Sequence, residues 1–214
     1  MMDTRHILES KKKQIETSLN GLFEEVMTAM GRSVKCLVKL DEGVCQSLMR
    51  LEATLNEKRR LLEQDCLVAI ASQQPVASDL RDIVADMRIA YELARMGDYA
   101  SDIAASIMEM DGTRIEPLGL LDIQIMAGHC EQMAHNVMRA HQTADVELAR
   151  RVISSDDELD VHLRKMIIAL MDAMRADPAN VHNGSRMLWI AHNLERYGDR
   201  TTNIAEQVIF RVEG

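Results

Sequence analysis

The chain has 214 residues, with 34 Asp and Glu against 25 Lys and Arg, a net charge of −9 and a pI near 5.3. So acidic a surface repels phosphate backbones and excludes nucleic acid as the partner, because the one basic cluster, Lys11-Lys12-Lys13, is short and lacks interleaved aromatics. Apolar residues make up 47% and aromatics only 3%, so the core must be aliphatic, and the sixteen Met with many Leu, Ile and Ala favour helices.

Apolar residues recur at three- and four-residue spacing, without the alternation of strands, and predict six helices in an all-α chain. The first covers 5–40 and stops before Asp41-Glu42-Gly43. The second, 43–73, ends at Gln73-Gln74-Pro75, and Pro75 opens the third, 76–110, in its first turn. The segment from Asp111 to Pro117 holds Gly112 and Pro117 and is the predicted boundary between residues 1–112 and 113–214. Helices at 118–141 and 144–176 follow, then a loop marked by Asp177-Pro178 and Asn183-Gly184, then a last helix at 184–212. The four cysteines show no C-x-x-C spacing and fall in helical patterns, as core thiols of a reducing compartment do. No signal-like segment precedes the first helix, and the longest apolar run, Cys66 to Ala71, is far too short for a bilayer, so a cytoplasmic location is expected.

The chain repeats itself. Residues 93–105, LARMGDYASDIAA, and 194–206, LERYGDRTTNIAE, are identical at six of thirteen positions at an offset of 101. Pro75 and Pro178 stand ahead of them at an offset of 103, and Glu52-x-x-x-Asn56 pairs with Asp156-x-x-x-Asp160 at 104. Each copy holds three helices long enough for an antiparallel bundle. The expected fold is therefore two tandem three-helix bundles, an elongated molecule with a left and a right half.

Chemistry concentrates in the second copy. At about 100° per residue, Met187, Ile190, Leu194, Tyr197, Ile204, Val208 and Val212 form an interior stripe on the last helix. Glu195, Asp199 and Glu206 share a second stripe, bordered by Asn203. On helix 144–176, Asp156 falls inside the apolar stripe and Asp160 at its margin, a costly place for a carboxylate without a partner. Were these helices neighbours, Asp156, Asp160, Glu195 and Asp199 would converge as hard oxygen donors, suited to Mg²⁺, Ca²⁺, Mn²⁺ or iron. Acidic residues at such spacing are more often a solvated face, and Arg196 and Arg200 stand close in sequence. His129, His135 and His141 turn to different helix faces. There is no Glu-x-x-His pair, His-Glu-x-x-His motif, phosphate-cradling glycine loop or nucleophilic triad, so no residue is assigned to catalysis and none to an organic cofactor.

Leu194-Glu195-Arg196-Tyr197-Gly198-Asp199, followed by Asn203-Ile204-Ala205-Glu206, resembles the repeat signature of the PhoU family of phosphate-uptake regulators. Gln73-Gln74-Pro75 with Asp79-Leu80-Arg81, and then Arg95, Gly97 and Asp98, resemble its first copy. The likeness covers about residues 40–214; residues 1–40 match poorly. It implies two three-helix bundles and a non-enzymatic regulator that binds the ATPase of a phosphate ABC transporter and a sensor histidine kinase, touching the membrane only through them. Some members hold metal clusters, so the resemblance implies metal ligands Asp156, Asp160, Glu195 and Asp199 with Asn203 beside them. In the first copy Ala94 and Ala105 stand in place of signature glutamates, leaving Glu52, Asp98 and Asp102 as a weak or absent site. The alternatives are an accessory protein of a different phosphate or ion transporter, or a metal-dependent enzyme. Apolar surface to spare on long helices favours a homodimer.

Overall fold

The computed structural model describes residues 4–111 and 119–214, so the predicted boundary at 112–113 and Pro117 lie outside the described residues. Six α-helices account for nearly all of it: α1 (Thr4–Val38), α2 (Glu42–Gln73), α3 (Ser78–Met108), α4 (Leu120–Thr143), α5 (Val146–Ala176) and α6 (Val181–Glu213). Two of them, α2 and α5, start on an aspartate. The Asp41 side chain accepts from Val44 N at 3.0 Å ahead of α2, and that of Asp145 from Leu148 N at 2.9 Å ahead of α5. Asp177 accepts from Ala179 N at 3.0 Å and starts a short 3-10 turn, Pro178–Asn180, that leads into α6.

Two predicted helix starts move. Pro75 does not open α3; Gln74 takes φ 48° and Ala77 φ 49°, so the chain makes a left-handed corner and the helix begins at Ser78. Asn183 and Gly184 are not a loop but lie within the first turns of α6. A Cβ on Gly184 would stand 3.0 Å from Met174 Cγ, so this glycine serves close contact between α5 and α6. Asn183 Oδ1 accepts from the Asp111 backbone N–H at 3.0 Å, and the His182 ring lies 2.7 Å from the Glu109 carbonyl. These contacts hold the end of α3 against the start of α6.

In each half the three helices pack on one another, as two three-helix bundles. The halves also share a core, because α3 and α6 run antiparallel along one another. Ion pairs and hydrogen bonds mark the seam from end to end: Arg186–Glu109 at 2.7 Å, Arg200–Glu92 at 3.3 Å, Arg88–Gln207 at 3.2 Å and Arg211–Asp82 at 2.9 Å. Met96 and Tyr197 are buried in its middle, and the Tyr197 hydroxyl reaches Met27 Sδ of α1 at 3.2 Å. The buried residues form one continuous aliphatic cluster drawn from all six helices. The left and right halves expected from the sequence are thus two bundles joined side by side through one core. At one end of the seam the buried His141 ring of α4 meets Asp86 of α3 at 2.7 Å. Among the described residues no helix is long and apolar enough to cross a membrane.

The interior stripe predicted for the last helix is correct from Met187 to Val208, all of them buried. Val212, in the last turn, is exposed instead. All four cysteines are buried and unpaired.

Candidate metal centre

The second-half acidic residues come together because α5 and α6 pack antiparallel and Gly198 lets them approach. A Cβ on Gly198 would stand 3.0 Å from both Asp156 Oδ1 and Leu159 Cδ2. A glycine here brings the α5 carboxylate against the α6 backbone one residue before Asp199. Asp156 is half-buried, and burial pushes its carboxyl up from the ordinary 3.8 to about 6. The charges of Asp199, Asp160 and Asp157 add to this, and His129 opposes it. Glu195 is raised too, by burial first and then by Asp199, with Arg196 opposing and Asp160 and Asp156 reinforcing. One of its carboxylate oxygens, Oε2, is buried without a hydrogen bond. The four residues expected to converge therefore share one electrostatic neighbourhood, in which burial and like charge disfavour ionisation.

Basic groups balance this face only in part. Arg196 pairs with Asp199 at 3.1 Å, and its Nε and the His192 ring stand 3.7 Å from Glu195. Arg164 reaches Asp160 at 3.4 Å on the solvent side. His129, in the sequence only one of three histidines turned to different helix faces, stands at the edge of this face, with Nε2 2.9 Å from the Ser155 carbonyl and Nδ1 3.7 Å from Glu158. Only the packing of α4 on α5 brings it there. Asn203 faces the other way: its amide donates to Glu92 of α3 at 3.2 Å, beside Arg200.

Among the described residues no three His, Cys, Asp or Glu side chains close around a common point for an ion. The face offers several carboxylates within electrostatic reach and one buried Glu195 oxygen that ion pairs at 3.7 Å leave without a hydrogen bond. Hard oxygen donors of that kind fit a hydrated divalent cation better than a fully enclosed one.

The corresponding place in the first half is filled differently. A Cβ on Gly97 would collide with Leu55, as close an approach as that at Gly198. Ala94, at the position of Glu195, is buried in the core. Asn56, at the position of Asp160, donates to Asp98 at 3.3 Å, and Arg95 holds the same carboxylate at 2.7 Å. Asp102 is raised by burial and by Asp98. Glu52 is exposed, and its backbone carbonyl accepts from Asn56 at 3.2 Å.

Comparison with known proteins adds a family. The profile of the PhoU domain matches residues 19–107 and again 123–208. A relative from Pseudomonas aeruginosa, named phosphate-specific transport system accessory protein PhoU homolog, is 27% identical over 99% of this chain and 88% of its own length. One from Clostridium acetobutylicum with the same name is 28% identical over 99% of this chain and 96% of its own. The crystal structure of PhoU from Pseudomonas aeruginosa superposes with a TM-score of 0.88 at 26% identity, covering 96% of this chain and 99% of that one. The PhoU structure from Streptococcus pneumoniae, at 20% identity and a TM-score of 0.89 over 95% and 96%, shares the fold.

Proposed function

This chain belongs to the PhoU family, and from that premise we propose that it is an accessory protein of a phosphate transport system, restraining uptake and the starvation response by binding the transporter ATPase and a sensor histidine kinase. The observation that carries this reading is the agreement of relatives along nearly the whole chain, each named as an accessory protein of phosphate-specific transport. The role is one of binding and not of catalysis: the sequence offers no nucleophile–base arrangement and no motif for an organic cofactor. Buried, unpaired cysteines fit action from the cytoplasmic side. Deletion of the gene tests the proposal. Phosphatase expression in phosphate-rich medium should rise several-fold and return with the wild-type copy. Unchanged repression would favour an accessory role for a different phosphate or ion transporter, a reading that the eroded first copy of the signature supports.

Within that role, the acidic face of the second half holds a hard divalent cation or iron. Asp156, Asp160, Glu195 and Asp199 supply the oxygens, with Asn203 outside the set as it lies here. The support is the crowding of like charges and the buried Glu195 oxygen without a hydrogen bond, which a cation would relieve together. Elemental analysis of protein purified without chelator, alongside Asp199→Ala, tests this. Metal bound equally by both proteins, or by neither, sinks the assignment.

A further inference from the structure

The two halves meet along two antiparallel helix pairs, and only one of them is closed. While α3 and α6 are packed along their length, α1 and α4 touch mainly at one end, where Gln142 donates to Asn20 at 3.0 Å and the Phe23 and His135 rings meet edge to face at 5.7 Å. Beyond Met27 the helices part over a groove of about 260 Å³, floored by Met27, Met30 and Val34 and walled by Gly31, Ala127 and Gly128. Internal symmetry explains the opening. The two matched family stretches begin at 19 and 123. At that spacing Phe23 corresponds to Ala127, and Gly31 corresponds to His135. Where one side of the pseudo-twofold carries a ring pair, the other carries glycine and alanine.

The glycines do nothing for the protein's own packing. A Cβ on Gly31 or Gly128 would meet nothing within 4 Å, unlike Gly97, Gly184 and Gly198, whose missing side chains admit a neighbouring one. Glycine inside a helix carries an entropic cost that a close approach normally offsets. Here no side chain of the protein itself makes that approach, so the space over Gly31 and Gly128 is open to a group from outside. Apolar surface continues past the groove on both helices, with Val34 followed by the exposed Val38 on α1 and Leu121 and Ile125 exposed on α4. The rims carry opposite charges, Lys35 on α1 and Glu131 on α4.

We propose that the α1–α4 groove docks a helix of a partner protein, one with small or aliphatic residues on an i, i+3/i+4, i+7 stripe, acidic residues along one flank and basic residues along the other. The methionine floor adapts to the side chains inserted, and the glycines allow the incoming backbone to come close. The Lys35 and Glu131 rims fix which flank lies on which side. The site is separate from the acidic face, so the two proposals stand or fall independently.

The test uses the full chain with ¹³C-methyl methionine and an 18-residue designed helical peptide carrying a Leu/Ala stripe, Glu on one flank and Lys on the other. The Met27 and Met30 methyl resonances should shift on titration while those of methionines far from the groove stay put. Gly31→Phe should weaken binding at least about tenfold, with unchanged helical circular dichroism; Ala127→Phe serves the same purpose if that variant fails to fold. Glu131→Lys, which makes both rims basic, should weaken this peptide and favour one with Glu on both flanks. Absence of methyl shifts, or undiminished binding to the filled groove, overturns the proposal. So does concentration-dependent shifting of Met27 and Met30 without peptide that Gly31→Phe abolishes, since that result would assign the groove to a second copy of this chain.

Discussion

In both halves a glycine on the third helix admits a leucine from the second, Leu55 at Gly97 and Leu159 at Gly198. The halves then diverge over the charges beside that contact. In the second, Asp156, Asp160, Glu195 and Asp199 crowd together, and Asp156 and Glu195 are both raised above their usual range. In the first, Ala94 is core, Asn56 and Arg95 both serve Asp98, and the carboxylate is satisfied within its own half. One scaffold thus carries a neutralised version and one that Arg164, Arg196 and His192 balance only in part. The glycine contact is a matter of folding and survives in both copies. Crowded, half-buried carboxylates cost stability, and their retention in one copy alone points to a use there.

The largest effect expected is on the seam the halves share. Tyr197→Ala empties a fully buried ring site at its centre and should lower unfolding free energy by about 3–5 kcal/mol in urea melts. Its counterpart Met96→Ala should cost about 2–5 kcal/mol. If each loss were instead confined to its own half, as two separate unfolding transitions, the shared core would be refuted.

Charge removal should have opposite signs in the two halves. Asp98→Asn deletes an ion pair and should destabilise by up to about 1 kcal/mol, because Arg95 is half-exposed. Asp156→Asn relieves repulsion and should stabilise the metal-free protein. Matching signs would show that the second-half carboxylates are already neutralised.

The pH dependence follows from the same residue. The Asp156 carboxyl is raised in the folded chain to about 6 from the ordinary 3.8, mainly by burial. Its contribution to stability is therefore fully present below about pH 4 and is lost as pH rises through about 6. Melting temperatures of the wild type should show that loss, Asp156→Asn should flatten it, and added divalent cation should offset it. A wild-type profile flat from pH 4 to 7 contradicts the crowding.

The smallest expected effect lies at the corners between the second and third helices. The first half turns with Gln74 and Ala77 at positive φ, whereas the second turns through Asp177-Pro178 without such residues. Ala77→Gly should stabilise by about 0.5–1 kcal/mol by releasing strain that only glycine avoids. No gain in thermal melts would mean that the corner is unstrained.

Much of this was legible in the residues. Helical periodicity and turn chemistry placed six helices within a few residues, since each signal acts over one or two turns. The duplication gave the two bundles and the matching motifs, and the resemblance built on them agrees with the family found by comparison. Asp156 stood out as a carboxylate on an apolar stripe. Glycine misled: Gly184 reads as a loop signal, yet it is a contact between helices, and nothing local tells the two apart. Tertiary structure alone brought His129 to the acidic face, turned Asn203 toward Glu92, joined α3 to α6 and parted α1 from α4 beyond Met27. Periodicity states which face of a helix is buried. Which helix buries it depends on the fit of side chains hundreds of bonds away along the chain, and that information exists only once the chain has folded.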